Sequence, residues 1–222
     1  MRSSEKIPVL DQGFVQLIDM MGDSDLDIVN AARVSFLGSS KGEEKDRRLL
    51  KYLYKNMHYS PFEQVSFKWL MRMPLITTIH FLRYRTAKIN SESTRYVEPQ
   101  DEFYIPSRFR TQSESNKQGS GEDCNSEINE KYLNLLEKSY NLNYGLYQKA
   151  LEDGIAKEQA RLFLNAYGMY QTLIFTLDAR NMINLFVQRL HPNAQYETRQ
   201  FASAMFQIFK EKLPWTSELY ES

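Results

Sequence analysis

Gln64-Val-Ser-Phe-Lys-Trp-Leu-Met-Arg-Met73 runs through Pro74 straight into Leu75-Ile-Thr-Thr-Ile-His-Phe-Leu-Arg-Tyr-Arg-Thr-Ala-Lys88. The first segment puts Val65, Phe67, Trp69 and Met71 at every second position, the period of a strand with one buried face. Aromatic and β-branched side chains suit such a pleated surface. Proline cannot donate to a ladder, so Pro74 ends the strand. In the second segment Leu75, Ile79, Leu82 and Thr86 recur near the helical period. This spacing predicts a helix with that stripe inward and its polar, chemistry-bearing side chains emerging towards the C-terminal end. A strand joined directly to a helix marks the chain as mixed α/β.

Upstream, Val15-Gln-Leu-Ile-Asp-Met-Met-Gly22 fits a short strand and turn, and Ser24 offers an N-cap for a helix in which Ile28, Ala31, Ala32 and Phe36 share a face. A polar loop from Gly38 leads to a second helix with Leu49, Leu50, Leu53 and Tyr54 inward. His58-Tyr-Ser-Pro61-Phe-Glu63 breaks it. Downstream, residues 108–128 are polar and almost free of core-forming side chains, and they fit a surface insertion. Ser126 to Gly154 predicts a long core-facing helix with Leu133, Leu136, Tyr140, Tyr147 and Leu151 on one side. A shorter helix near Ala156–Leu164, an aromatic-rich strand ending at Asp178 and two helices separated by Pro192 complete the reading. The whole of 1–222 is expected to form one domain.

Charge and cysteine content narrow the function. The 222 residues carry 28 basic and 28 acidic side chains, so no net positive field exists to hold a nucleic acid polymer or an anionic membrane surface. No apolar run approaches the length of a spanning helix. The single Cys124 excludes an internal disulfide and a multi-thiolate metal site, and His58, His80 and His191 lack metal-ligand spacing. The expectation is a metal-free protein of the cytoplasm.

The chemistry concentrates in Arg83-Tyr-Arg-Thr-Ala-Lys-Ile-Asn-Ser-Glu-Ser-Thr-Arg-Tyr96, which packs three arginines and two serines into fourteen residues. Guanidinium forks and hydroxyls bind phosphate oxygens in this way. The bland alternative is a set of solvated surface charges. If the helix continued through them, Arg83 and Arg85 would point about 200° apart, which suits two anionic ligands or one ligand spanning two faces.

The run Arg-Xaa-Arg, seven residues, Ser93, then Arg95-Tyr96, resembles the signature of the flavin-dependent thymidylate synthases, which usually begins Arg-His-Arg. His58-x-x-Pro61-Phe62-Glu63 lies upstream at the family's spacing, as does Val29-Asn-Ala-Ala-Arg-Val-Ser35. Phe103-Tyr104-x-Pro106, Gly154-Ile-Ala-x-Glu-x-Ala-Arg161, Ala179-Arg180-x-x-x-Asn184 and Ala194-Gln-Tyr-Glu197 follow in family order. The resemblance implies a mostly antiparallel sheet flanked by helices, and a homotetramer with active sites shared between subunits. It implies transfer of a methylene group from methylenetetrahydrofolate to carbon 5 of dUMP, with reducing equivalents passing from NADPH through FAD.

Roles carry over by position. The resemblance places His80, Arg83, Ser91, Glu92, Ser93, Thr94, Arg95, Arg161 and Arg189 around the nucleotide, with Arg189 as the catalytic group that stabilises charge on the pyrimidine. It places His58, Ser60, Arg83, Tyr84, Arg85, Asp178, Arg180 and Asn184 on the flavin side. Several positions depart from the family pattern. Tyr84 replaces the signature histidine, His80 a glutamine, Lys88 a serine, Ser91 a glutamate and Asp178 an asparagine, while Glu92 stands one residue late. A Tyr84–His80 pair one helical turn apart would replace the missing groups jointly. The departures leave open another pyrimidine nucleotide (UMP, CMP or dCMP) as substrate, or a non-catalytic nucleotide- or flavin-binding protein.

Overall fold

The structure is a computed structural model that describes residues 4–114 and 116–221. Strand β1 (Ile7–Val9) turns back into β2 (Gly13–Met21), and α1 (Asp25–Arg33) and α2 (Glu43–Lys55) follow. Strand β3 (Ser66–Pro74) leads into α3 (Leu75–Phe81), and β4 (Lys88–Ser91) comes next. A hairpin of β5 (Arg110–Gln112) and β6 (Ser120–Asp123) precedes α4 (Ser126–Glu152) and α5 (Lys157–Ala160). Strand β7 (Tyr170–Asp178), α6 (Ala179–Arg189), α7 (Tyr196–Lys212) and α8 (Pro214–Glu221) end the chain.

Five strands form one sheet in the order β1-β2-β3-β7-β4, every neighbouring pair antiparallel. The alternation in the sequence sets its two faces. Phe67, Trp69, Met71 and Met73 of β3 and Leu173, Phe175 and Leu177 of β7 are buried, while the residues between them are half-buried or exposed. The inward side chains share one hydrophobic cluster with Ile28, Leu50, Phe186, Phe201, Met205 and Phe209 from the helices. In β2 the register against β3 shifts between Leu17 and Asp19, and this bulge moves the inward phase from Val15 and Leu17 to Met20.

Strands β3 and β7 end at Pro74 and Asp178, and the Ser24 cap falls, where the sequence predicts them, whereas β1 and β4 have no counterpart in that reading, which carries the helix after Pro74 on to Lys88. Ser24 and Asp27 make a reciprocal capping box at the start of α1. Helix α3 differs from its prediction. It has seven residues, it buries Thr77, Thr78 and Phe81, and it leaves Ile79 and Leu82 exposed. Backbone contacts fix this rotation, because Leu75 and Ile76 donate to the carbonyls of Met169 and Tyr167. Thr78 Oγ1 donates to the Pro74 carbonyl at 3.2 Å, so that hydroxyl goes inward with its polarity met. Two turns follow, closed by Tyr84 N to Phe81 O and Ala87 N to Tyr84 O. Arg83 and Arg85 therefore lie on turns beyond the helix, exposed on either side of the buried Tyr84.

Helix α4 turns Tyr140, Tyr147 and Ala150 into a second, smaller cluster with Phe103, Leu164 and Met169, and the predicted Leu133 is only half-buried. The predicted insertion at 108–128 holds the β5–β6 hairpin and the first residues of α4. It is tied down by Arg110 Nη2, which reaches Glu197 Oε1 at 2.5 Å.

Helix α8 has no counterpart in the sequence reading, and its cap explains why. Asp25, at the other end of the chain, accepts from Trp215 N (3.0 Å), Thr216 N (2.8 Å) and Thr216 Oγ1 (2.5 Å). Burial pushes the Asp25 carboxyl up, and these three hydrogen bonds oppose it. Asp25→Ala removes the N-cap and orphans buried donors, so it is expected to lower stability by about 2 kcal/mol. The check is the urea midpoint at unchanged slope, and an unmoved midpoint refutes the capping role.

Candidate active site

The C-terminal ends of α3 and α6 meet over the signature turn. Arg189, in the last turn of α6, donates from Nη2 to the His80 carbonyl at 3.4 Å. Its guanidinium lies 5.5 Å from the Tyr84 ring centroid. Arg189 Nε is buried with no hydrogen-bond partner among the described residues. A buried donor of a permanent cation without a partner is costly, so this N–H is suited to an acceptor on a ligand; Arg33 Nε is buried and unpartnered in the same way. Tyr84 Oη donates to Gln188 Oε1 at 3.0 Å, and His80 Nε2 lies 2.8 Å from Gln195 Oε1. His80 and Tyr84 thus do not form the stacked pair of a continuous helix. Arg189 and separate glutamines engage each of them, because the helix stops at Phe81. Burial, with Arg189 and Arg83 nearby, lowers the His80 pKa against the hydrogen bond to Gln195.

A second group sits past the edge strand. Arg161 Nη1 donates to Thr94 Oγ1 at 3.0 Å, and Arg95 pairs with Glu158 at 3.1 Å. These bonds hold the Ser93–Val97 turn, itself closed by Ser93 O, against α5. Glu92, Ser93 and Thr94 line a small cavity of about 210 Å³ there, while Ser91 ends β4. Between the two groups, the side chains of Arg83, Arg85 and Lys88 are exposed and make no hydrogen bond or ion pair among the described residues. Three unneutralised cations on one turn and strand edge suit a phosphate-bearing ligand.

The expected flavin-side residues fall into two further places. Arg180 pairs with Glu63 at 2.8 Å and lies 4.8 Å from the Tyr59 ring centroid, beside Asn184 in a cavity of about 400 Å³. Asp178 faces its own helix, where it caps α6 by accepting from Asn181 N and Nδ2. His58 and Ser60 line a larger cleft of about 860 Å³ with Arg33, Ser35, Lys41 and Tyr52. Among the described residues no cluster of histidine, cysteine and acidic side chains could hold a metal ion.

Sequence reasoning assigns no role to Gln188, Gln195, Glu197, Glu63 or Arg110. For three of them the signal lies in motifs already quoted, Glu63 in the His58 motif and Gln195 and Glu197 in Ala194–Glu197. Glu197 is 4% exposed and also accepts from Tyr104 Oη at 3.1 Å.

Comparison with known proteins identifies the family. Residues 16–215 match the profile of the family described as "Thymidylate synthase complementing protein". The flavin-dependent thymidylate synthase of Kosmotoga olearia is 40% identical over 97% of this chain and 93% of its own length. That of Thermus thermophilus is 41% identical over 97% of this chain and 78% of its own. Among solved structures, the UMP/dUMP methylase PolB from Streptomyces cacaoi bound with 5-Br dUMP superposes with a TM-score of 0.86 at 30% identity, covering 97% of both chains. With 5-Br UMP bound it gives 0.85. This chain belongs to the flavin-dependent thymidylate synthase family.

Proposed function

We propose that the protein is a thymidylate synthase that methylates dUMP reductively at carbon 5, with a flavin, FAD, as its cofactor. Methylenetetrahydrofolate is the carbon donor and NADPH the reductant. The observation that carries the reading is the buried Nε of Arg189, without a hydrogen-bond partner among the described residues, at the turn that bears the unpaired Arg83 and Arg85, an arrangement suited to an anionic nucleotide whose ring gains negative charge.

The residues present also fit a flavin dinucleotide. Arg180 over Tyr59, with Asn181 and Asn184, offers an aromatic face, a cation and amide donors, and the cleft of His58 and Ser60 offers apolar walls with Arg33 and Lys41 among its lining. When bound, the flavin supplies the two-electron transfer between NADPH and the one-carbon unit.

The chain's own groups bind and polarise. Arg161 and Arg95 steady the Ser93–Thr94 turn, whose hydroxyls are assigned to the nucleotide phosphate together with the exposed Arg83 of the preceding turn. Arg189 holds fixed positive charge where the pyrimidine becomes electron-rich, anchored by its bond to the His80 carbonyl. Cys124 is half-buried past β6 and lines none of the three cavities that hold the candidate nucleotide-side and flavin-side residues, so no cysteine nucleophile is assigned.

We infer further that the enzyme is a homotetramer with shared sites. Support comes from the separation of the nucleotide-side and flavin-side groups into different cavities within one chain. It also comes from the exposed apolar stripe Ile128, Tyr132, Leu135, Leu142 and Leu146 along α4, which suits a partner helix. The reaction is placed in the cytoplasm, where reduced nicotinamide and a free thiol such as Cys124 persist.

The decisive experiment incubates the purified protein, FAD, NADPH and labelled methylenetetrahydrofolate with dUMP, UMP, dCMP and CMP, and identifies the methylated product. Labelled dTMP is expected. Labelled 5-methyl-UMP in its place would favour the ribonucleotide reading, to which Tyr84, His80 and the PolB likeness lend weight. Arg189→Lys replaces a planar fork by a point charge and is expected to cut turnover about 10²-fold to 10³-fold while leaving flavin uptake intact. Unchanged turnover removes Arg189 from the chemistry. Cys124→Ala is expected to keep turnover within about twofold, and a folded but inactive variant would restore a thiol mechanism.

A further inference from the structure

A run of polar contacts crosses from the β5–β6 hairpin to the end of α3. Arg110 Nη2 donates to Glu197 Oε1 (2.5 Å), Gln195 Nε2 donates to Glu197 Oε2 (3.0 Å), and Gln195 Oε1 faces His80 Nε2 (2.8 Å). Each bond has a direction. Burial works against the Glu197 carboxylate, but the hydrogen bonds from Arg110 and Gln195 outweigh it and hold its carboxyl below the ordinary range. An ionised carboxylate only accepts, so the amide of Gln195 must turn its NH₂ towards Glu197 and its oxygen towards His80. An amide oxygen also only accepts. His80 Nε2 must therefore carry the proton.

The other ring nitrogen then bears a lone pair. His80 Nδ1 has no hydrogen-bond partner among the described residues, and neutral imidazole with Nε2–H presents Nδ1 as an acceptor. The charged groups near the ring are Arg189 on α6 and Arg83 on the following turn, and burial with both arginines disfavours the imidazolium. We infer that Gln195 and Glu197 are positioning residues that fix the hydrogen-bond polarity of His80, so that it offers the substrate an acceptor and selects a pyrimidine with an N–H donor at N3.

The polarity argument also accounts for a histidine where the family usually has glutamine. Either side chain can donate an N–H to Gln195 Oε1 and keep an acceptor on its far side, Nδ1 in one and Oε1 in the other. Uracil supplies an N3–H, whereas the N3 of cytosine is itself an acceptor and would face a lone pair with a lone pair. The inference rests on the uridylate reading above and adds to it the residues that enforce the base choice.

The test combines a spectrum with an equilibrium. The chain has three histidines, and ¹⁵N NMR of the labelled holoenzyme, with the His80 signals identified by their loss in His80→Gln, reports which ring nitrogen is protonated. Nε2 protonated and Nδ1 bare is expected. Gln195→Leu cuts the relay while leaving the Arg110–Glu197 pair in place. It should give a mixture of tautomers and lower the ratio of dUMP to dCMP affinity about tenfold, the worth of one hydrogen bond. His80→Gln should keep that ratio within about threefold, since its polarity is preserved. Glu197→Gln should act like Gln195→Leu if it folds. Nδ1 protonated in the wild type, or Gln195→Leu with tautomer and affinity ratio unmoved while dUMP is still methylated, overturns the positioning role alone. No binding of dUMP by the wild type overturns the functional reading and the base selection together.

Discussion

The antiparallel pairing of β3 with β7, unbroken from Ser66↔Asp178 to Pro74↔Tyr170, is the constraint from which the rest of the molecule is built. It joins segments far apart in sequence, so a large loop-closure cost is offset by burying Phe67, Trp69, Met71, Leu173, Phe175 and Leu177 together. One end of the pair launches α3, which carries His80, and the other launches α6, which carries Arg180, Asn184 and Arg189. Strand β4 hydrogen-bonds to the free edge of β7 and brings Lys88 and the arginine turns with it. A one-residue slip would exchange the two faces of the sheet and carry all three elements out of place, so packing the core and placing the chemistry are one event.

Charge is sorted in the same way. The total is neutral, yet the acidic partners are not spread evenly. Arg33 is held by the buried Asp46, Arg72 by Glu102 and Arg110 by Glu197, and such pairs fix the loops to which they belong. Arg83, Arg85 and Lys88 have no such partner among the described residues. Exposed ion pairs contribute little to stability, so leaving these cations free costs the fold almost nothing and keeps positive potential at one edge for an anionic ligand.

Local signals in the sequence are enough for some of this. Strands β3 and β7 are legible because one face alternates cleanly, and α1 is legible because Ser24 caps it from a neighbouring position. Helix α3 is misread because two threonines turn inward, which depends on the carbonyls of Pro74, Tyr167 and Met169. The β5–β6 hairpin looks like solvated loop, since its anchor, Glu197, lies on α7. Helix α8 escapes notice because its cap is Asp25. The same division holds at the site. The arginines are visible as a dense run, whereas the Gln195–Glu197 relay has meaning only once α7 is folded beside α3.

The tyrosine at position 84 shows how a departure from the signature can leave the electrostatics intact. Burial raises the Tyr84 pKa, with Arg189 opposing, so the phenol stays neutral across the working range and cannot carry the charge of a histidine. Its ring instead lies against the Arg189 guanidinium, and its hydroxyl bonds Gln188 on the same helix as that arginine. A neutral aromatic face steadies a cation without neutralising it, unlike a carboxylate in the same place. The positive charge of Arg189 at the end of α6 therefore stays undiminished, and the titratable imidazole sits instead at His80, where burial and two arginines favour its neutral form. The chain thus separates fixed charge from hydrogen-bond polarity, giving the first to an arginine and the second to a histidine held by Gln195.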